Sequence, residues 1–214
     1  MIDATKTGSG VKQMTSHSSA APALGKPGAG LPFYEWALAK YFIFPHRFNT
    51  VSNEQAIKDF EKESEMILSL SRGLSPTEFC EKRLVKRLRG MEDNSRFWSV
   101  AMAVEHLIIV GTSMRGVILA LSNGETKMPE TTIADMKPNP NVDSTDLLAH
   151  FDQMSQKFVR TANSAKIDAF PQATYPHPWF GPLNARKWLS FAAPHQRVHR
   201  QQIEEIISLL RASR

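Results

Sequence analysis

From residue 52 onward, apolar side chains recur at intervals of three and four in long blocks, and a two-residue alternation persists nowhere. In "SNEQAIKDFEKESEMILSLSRG" the stripe is Ile57, Phe60, Ile67 and Leu70, the spacing of one helix face. Ser52 with Gln55 forms a capping-box start, and Gly73 stands where a helix stops. "SPTEFCEKRLVKRLRG" opens with Ser75 as cap, Pro76 at the first helical position and Glu78 three residues past the cap. That predicts a short connecting helix. A second long helix covers about 98–122, and a third, capped by Asp143 or Ser144, puts Leu147, Phe151, Met154, Phe158 and Ala162 on one face. Between them, "KMPETTIADMKPNPNVD" has the proline and asparagine of a loop. The fourth helix starts at the cap Asn184 and runs to about Ala212. Four amphipathic helices without strands or repeats predict an all-α fold, an antiparallel four-helix bundle over residues 52–214.

Two segments precede the bundle. Residues 1–30 are rich in Gly, Ser, Ala, Thr and Lys, too poor in apolar surface to offset the entropy of ordering, and are expected to form a disordered tail. Residues 31–51 change character: "LPFYEWALAKYFIFPHRF" gathers Phe33, Tyr34, Trp36, Leu38, Tyr41, Phe42, Ile43 and Phe44 in one stretch ended by Pro45. A short helix packed on the bundle or on a partner chain is expected there. A membrane-surface anchor would need more basic residues.

Composition narrows the chemistry. Hydrophobic residues are 42% and charged residues 22% of 214, as in ordinary globular proteins. The formal charge is +5, short of what a nucleic-acid partner implies, and the cluster Lys82, Arg83, Lys86, Arg87 and Arg89 reads as a solvated face. No nucleic-acid partner is expected. Cys80 is the only cysteine, which excludes an internal disulfide and a cysteine zinc site and fits a cytoplasmic location. The apolar run from Trp98 to Leu121 is interrupted by Glu105, His106 and Arg115, so a core helix is expected there and no membrane span.

The histidines carry the candidate chemistry. In the fourth helix, Trp188, Ala192, His195, His199, Gln202, Ile203, Ile206 and Leu210 share one stripe, while Arg197, Arg200, Gln201, Glu204 and Glu205 lie opposite. Two inward imidazoles four residues apart suit a single divalent ion. The alternative is a pair of core histidines satisfied by hydrogen bonds. His106, with Met102, Ala103, Ile109, Val110 and Ser113 at helical spacing, is the best third ligand. His150 falls on a polar face, His46 in a loop, His17 in the tail, and His177 either lines a site mouth or shapes a turn. A zincin needs H-E-x-x-H, and Gln196 occupies the Glu position. No histidine has Glu three residues before it, so paired Glu-x-x-His di-iron motifs are absent as well.

With these residues in place, the chain resembles the DinB-like superfamily of four-helix metalloproteins over roughly residues 52–212. "WSVAMAVEHL" is similar to that family's second-helix motif ending in a metal-binding histidine, here His106. "HPWFGPLNARKWLSFAAPHQRVHRQQI" is similar to its fourth-helix region, with His195 and His199 as the pair and Gln202 following. The resemblance implies an antiparallel bundle holding one divalent metal through His106, His195 and His199. It also implies a homodimer and, as in some relatives, use of a low-molecular-weight thiol on a small-molecule substrate. Pro194, inside the fourth helix, departs from a plain helix: it removes the N–H that would bond the Ser190 carbonyl and should kink the chain.

Three neutral imidazoles leave the full charge on the ion and leave coordination positions open, the arrangement of a reactive site. The expectation is a metal-dependent thiol transferase or hydrolase. Gln202 would orient a ligand or water, and Trp98, Trp179 and Trp188 would be pocket walls. Imidazole donors suit zinc, nickel or cobalt over calcium or magnesium. The rival is a non-catalytic bundle whose metal is structural or stored.

Overall fold

The computed structural model describes residues 22–213. Its elements in chain order are α1 (Phe33–Leu38), a π-helical turn (Ala39–Ile43), α2 (Phe44–Thr50), α3 (Asn53–Arg72), α4 (Pro76–Cys80), β1 (Arg83–Leu84), β2 (Phe97–Trp98), α5 (Val100–Ser122), α6 (Leu147–Ser164), β3 (Tyr175–His177), β4 (Gly181–Leu183) and α7 (Ala185–Ala212). The expected caps do their work at two of the four long helices, Ser52 on α3 and Asn184 on α7, and Ser99, which sequence reasoning did not single out, caps α5. Ser52 Oγ accepts from Gln55 N, Ser99 Oγ from Met102 N, and Asn184 from Lys187 N. Ser75 and Glu78 form the full reciprocal capping box on α4. The start of α6 differs from expectation. It begins after Asp146, which is left-handed at φ 54 and makes no side-chain cap, while Asp143 instead accepts from Thr145 N in a preceding turn.

The long helices α3, α5, α6 and α7 form the expected four-helix bundle, with α3 packed on α6 and α7, and α5 likewise. Their directions follow from the contacts. Ser64 meets Gln196 while Arg186 meets Val51 at the helix starts, so α3 and α7 run parallel. Phe60 stacks on Phe158 and Asn53 bonds Asp168, so α3 and α6 run antiparallel. His106 meets His195 and Trp98 meets His199, so α5 and α7 are antiparallel too. The pair α5 and α6 is therefore parallel, and residues 123–146 must return along the bundle to join them.

The core is a single cluster. Phe60, Ile67, Leu107, Ile118, Leu121, Phe151, Phe158, Leu189, Ile203 and Ile206 are among its fully buried members, and every residue of the expected α6 face is buried. Gly111 sets how closely α5 and α6 approach: a Cβ there would stand 2.5 Å from Met154 Sδ. By length and composition α5 could cross a membrane, but half of its apolar window is buried inside the bundle and it serves as the central core helix.

Three expectations are corrected outside the bundle. Two short antiparallel ribbons exist, β1 with β2 and β3 with β4; strands of two or three residues are too short to show alternation. Pro45 does not end the aromatic segment, because the backbone stays helical from the π-helical turn through it into α2. Residues 1–21, with His17, lie outside the described residues, whereas residues 22–30 are placed against the bundle. Gly25 N donates to Asp93 (2.8 Å), Gly30 N to Glu92 (3.3 Å), and Asn94 donates to the Gly25 carbonyl (3.1 Å).

The aromatic segment packs on the bundle with one face only. Phe44 contacts Phe180 and Phe191, and Trp36 Nε1 donates to the Trp179 carbonyl at 2.7 Å. Phe33, Tyr34, Tyr41 and Phe42 are exposed on the other.

Candidate metal centre

α7 carries His195 and His199 one turn apart, and the second turn of α5 brings His106 to them across the antiparallel interface. The ligand atoms of all three lie within 4.8 Å of one another, with ring centroids 4.4–5.3 Å apart. The Nε2 atoms of His106 and His195 are 3.3 Å apart. Two nitrogens on one tetrahedral zinc, each at about 2.0–2.1 Å, stand about 3.3–3.4 Å from each other. The three residues that the sequence singled out are thus brought together with a spacing that fits one ion.

The tautomers of His106 and His199 are set from behind. His106 Nδ1 lies 2.6 Å from the Met136 carbonyl. A carbonyl only accepts, so Nδ1 carries the proton and Nε2 the lone pair. Gln202 Nε2 donates to the Ser95 carbonyl at 2.6 Å, which turns its Oε1 toward His199 Nδ1 at 2.8 Å. That nitrogen is again the N–H, and His199 Nε2 is the free donor atom. Partners of this kind fix ring orientation at metal sites. Gln202 is fully buried and both ends of its amide are committed. It stands behind His199, with one hydrogen bond at each end of its amide. The Met136 carbonyl reaches His106 because the 123–146 connection runs back along α5.

Electrostatics keep the rings neutral. Burial pushes His106 and His195 well below the usual histidine range, reinforced by neighbouring His199. Burial lowers His199 to about 4, opposed by its hydrogen bond to Gln202. No carboxylate belongs to the group. Nearby, Lys137 closes on the buried Glu92 at 2.6 Å and on Ser95 Oγ at 3.0 Å. On the far side of α7, buried Glu63 accepts from Arg197 and Arg200 at 2.7 and 2.6 Å and ties the helix to α3.

α7 runs unbroken through Pro194. The carbonyl that the proline leaves without its helical donor, Ser190 O, accepts from Arg47 Nε of α2 at 2.8 Å, and Arg47 also pairs with Asp59 at 2.9 Å. The aromatic segment thereby completes the hydrogen bonding of the helix that bears the histidines.

All three histidines face a cavity of about 370 Å³. Trp179 and Trp188 line it as expected. Trp98 does not; it backs the site, stacked on His199 at 5.8 Å with an 11° interplanar angle. His177 belongs to the cavity wall, ringed by Phe180, Trp188 and Phe191, with burial lowering it to about 4. His150 is exposed, as expected, and His46 is exposed on α2, not in a loop. Sequence reasoning missed the Met136 and Ser95 carbonyls, the Lys137–Glu92 pair and the roof of the cavity. The roof comes from the aromatic segment, held by Glu35. Glu35 is 8% exposed, accepts from Arg87, and also accepts from Gly90 N at 3.2 Å. Gly90 has φ +79, a left-handed turn that glycine adopts without strain. The basic cluster is accordingly not uniformly solvated: Arg87 is committed to Glu35 and Arg83 to Glu81, while Lys86 and Arg89 are exposed.

The family model for the DinB superfamily matches residues 59–203. The chain belongs to the DinB superfamily. No curated protein matches the sequence. Among solved structures, TT2238, described as a four-helix bundle protein, is 24% identical with a TM-score of 0.49, over 72% of this chain and 98% of that one. The colibactin self-resistance protein ClbS, solved in complex with a dsDNA, is 15% identical with a TM-score of 0.48, over 75% of this chain and 96% of that one. The ClbS complex corrects one expectation. The expectation of no nucleic-acid partner, drawn from the modest charge and from reading the basic cluster as a solvated face, is withdrawn, since ClbS was solved in complex with a dsDNA.

Proposed function

We propose that this DinB-superfamily protein is a metal-dependent enzyme that binds one divalent ion through Nε2 of His106, His195 and His199. In this reading it uses a low-molecular-weight thiol, or water, as nucleophile toward a small molecule held in the adjoining cavity. One observation carries the reading: three neutral imidazoles converge with no carboxylate among them, His106 and His199 held from behind through Nδ1, and together they face a cavity. The donor set and the 3.3 Å spacing suit zinc or nickel. The ion's charge, when present, brings a thiol or water to its deprotonated form near neutral pH. Met136 O and Gln202 keep Nδ1 of their histidines protonated, so Nε2 stays available as a donor atom. The cavity's apolar wall limits bulk water around the reacting end.

Elemental analysis of tag-free protein beside the His195→Ala/His199→Ala double mutant tests the site. About one equivalent in the wild type and none in the mutant is expected. Equal metal in both sinks the assignment. Thiol-transfer and hydrolase assays on folded His199→Ala then separate an enzyme from a metal-storing bundle, since retained activity removes the histidines from the reaction.

A further inference from the structure

The cavity beside the histidines has a composition that says what it takes. Leu31, Ala39 and Phe44 form one wall and Val110, Met114 and Val117 of α5 another. The charged groups along it are mostly neutralised among themselves. Glu35 closes on Arg87 and Gly90 N, and Glu92 and Lys137 close on each other. Arg89 alone stands at the edge, exposed to solvent and, among the described residues, in no ion pair. Away from the histidine end, where a bound ion would stand, a ligand charge placed deep in this space would lose its hydration and meet no free counter-charge, a cost of several kcal/mol. At about 370 Å³ the cavity lies within the range of small-molecule sites.

The wall formed by residues 31–44 also lies outside the matched stretch 59–203. Together with the rest of α2 it is attached to the bundle at three points: Glu35 to Arg87, Trp36 Nε1 to the Trp179 carbonyl, and Arg47 to Ser190 O and Asp59. These bonds hold Leu31, Ala39 and Phe44 at a fixed distance from α5, and that distance sets the width of the cavity.

We propose that this cavity binds an uncharged, predominantly apolar small molecule, with the aromatic N-terminal segment as the wall that determines its specificity. The inference rests on the functional reading above only in placing the molecule's reacting end at the histidines; the binding itself needs no metal. The apolar partner would be the electrophile and the thiol or water the nucleophile. The nucleophile's sulfur or oxygen forms the new bond, its proton goes to solvent, and the bonding pair of the broken bond leaves with the displaced group.

The test uses the full chain, stripped of metal by chelation and dialysis, and two probes of one shape: uncharged N-phenyl-1-naphthylamine and its anionic sulfonate, 1-anilinonaphthalene-8-sulfonate. Energy transfer from Trp179 and Trp188 reports binding inside the cavity. Saturable one-to-one binding of the uncharged probe is expected, with the sulfonate at least tenfold weaker. Ala39→Trp on the roof and Val117→Trp on α5 should each weaken it tenfold or more, while Phe42→Ser on the exposed face leaves it unchanged. Ala39 lies outside the bundle core, so its variant carries the test if Val117→Trp does not fold. Wild-type binding by the folded tryptophan variants, loss of binding in Phe42→Ser, sulfonate binding as tight as the uncharged probe, or no saturation each overturns the proposal. Metal content, read separately on the same preparations, decides the metal reading, so either can fail without the other.

Discussion

Gln202 shows how much a single buried amide decides. Replacing it with Leu leaves the Ser95 carbonyl without its donor and His199 Nδ1 without its acceptor. Metal affinity should fall ten- to a hundredfold, and the metal-free fold should lose about 1–3 kcal/mol. Competitive metal titration and denaturant unfolding read the two effects. Gln202→Glu keeps an acceptor for His199 and should retain more affinity than Gln202→Leu; the reverse order would mean that His199 is not oriented through Nδ1. The buried histidines also set a pH dependence. Burial lowers His177 and His199 from 6.5 to about 4, so between those values the unfolded chain binds protons that the native state refuses. The stability of the metal-free protein is therefore full above about pH 6.5 and falls as pH drops toward 4. Tm measured from pH 7 to pH 4 should decline through this window, and less steeply in His177→Phe. A flat profile would show that the rings are solvated.

At the scale of elements, α2 and α7 are coupled through one carbonyl. Pro194 denies Ser190 O its helical donor, and Arg47 supplies another. Arg47→Ala should cost about 1–3 kcal/mol, because it strands a buried carbonyl and leaves Asp59 without its ion pair, with only its hydrogen bond to Gln55. In a Pro194→Ala background the helix regains its own N–H at that position, so the same substitution should cost less. Unfolding free energies of the four proteins form the cycle. Strict additivity would show that Arg47 does not serve the proline's orphaned carbonyl.

For the whole molecule, the decisive relation is between the metal centre and the core. Phe60 stacked on Phe158 at 4.0 Å, with Ile67, Ile118 and Ile203 fully buried, packs without help from the histidines. Chelation should therefore lower Tm by the lost binding free energy while helical circular dichroism and a cooperative melt persist. Unfolding on chelation would identify the metal as structural. The parallel α5–α6 pair places the long return connection beside α5, and Met136 meets His106 for that reason. A shorter connection would have allowed an antiparallel pair and removed that acceptor.

The sequence by itself determined the four helices, their buried faces, the caps of the first and last and the identity of the three clustered histidines. Each of those signals is local: periodicity, a cap three residues from its partner, two rings one turn apart. The stripe through Trp188, His195, His199 and Ile206 was legible because a helix repeats every 3.6 residues. Only the tertiary structure decided the rest. Helix direction depends on which ends meet, and no periodicity records that. Backbone carbonyls such as Met136 O and Ser95 O have no residue-type signature, so the groups that set the histidine tautomers were invisible beforehand. The roof over the cavity came from a segment whose apolar residues face two ways, inward at Phe44 and outward at Phe42. Composition could not say which side each would take, because that choice is made by the bundle surface against which the segment packs.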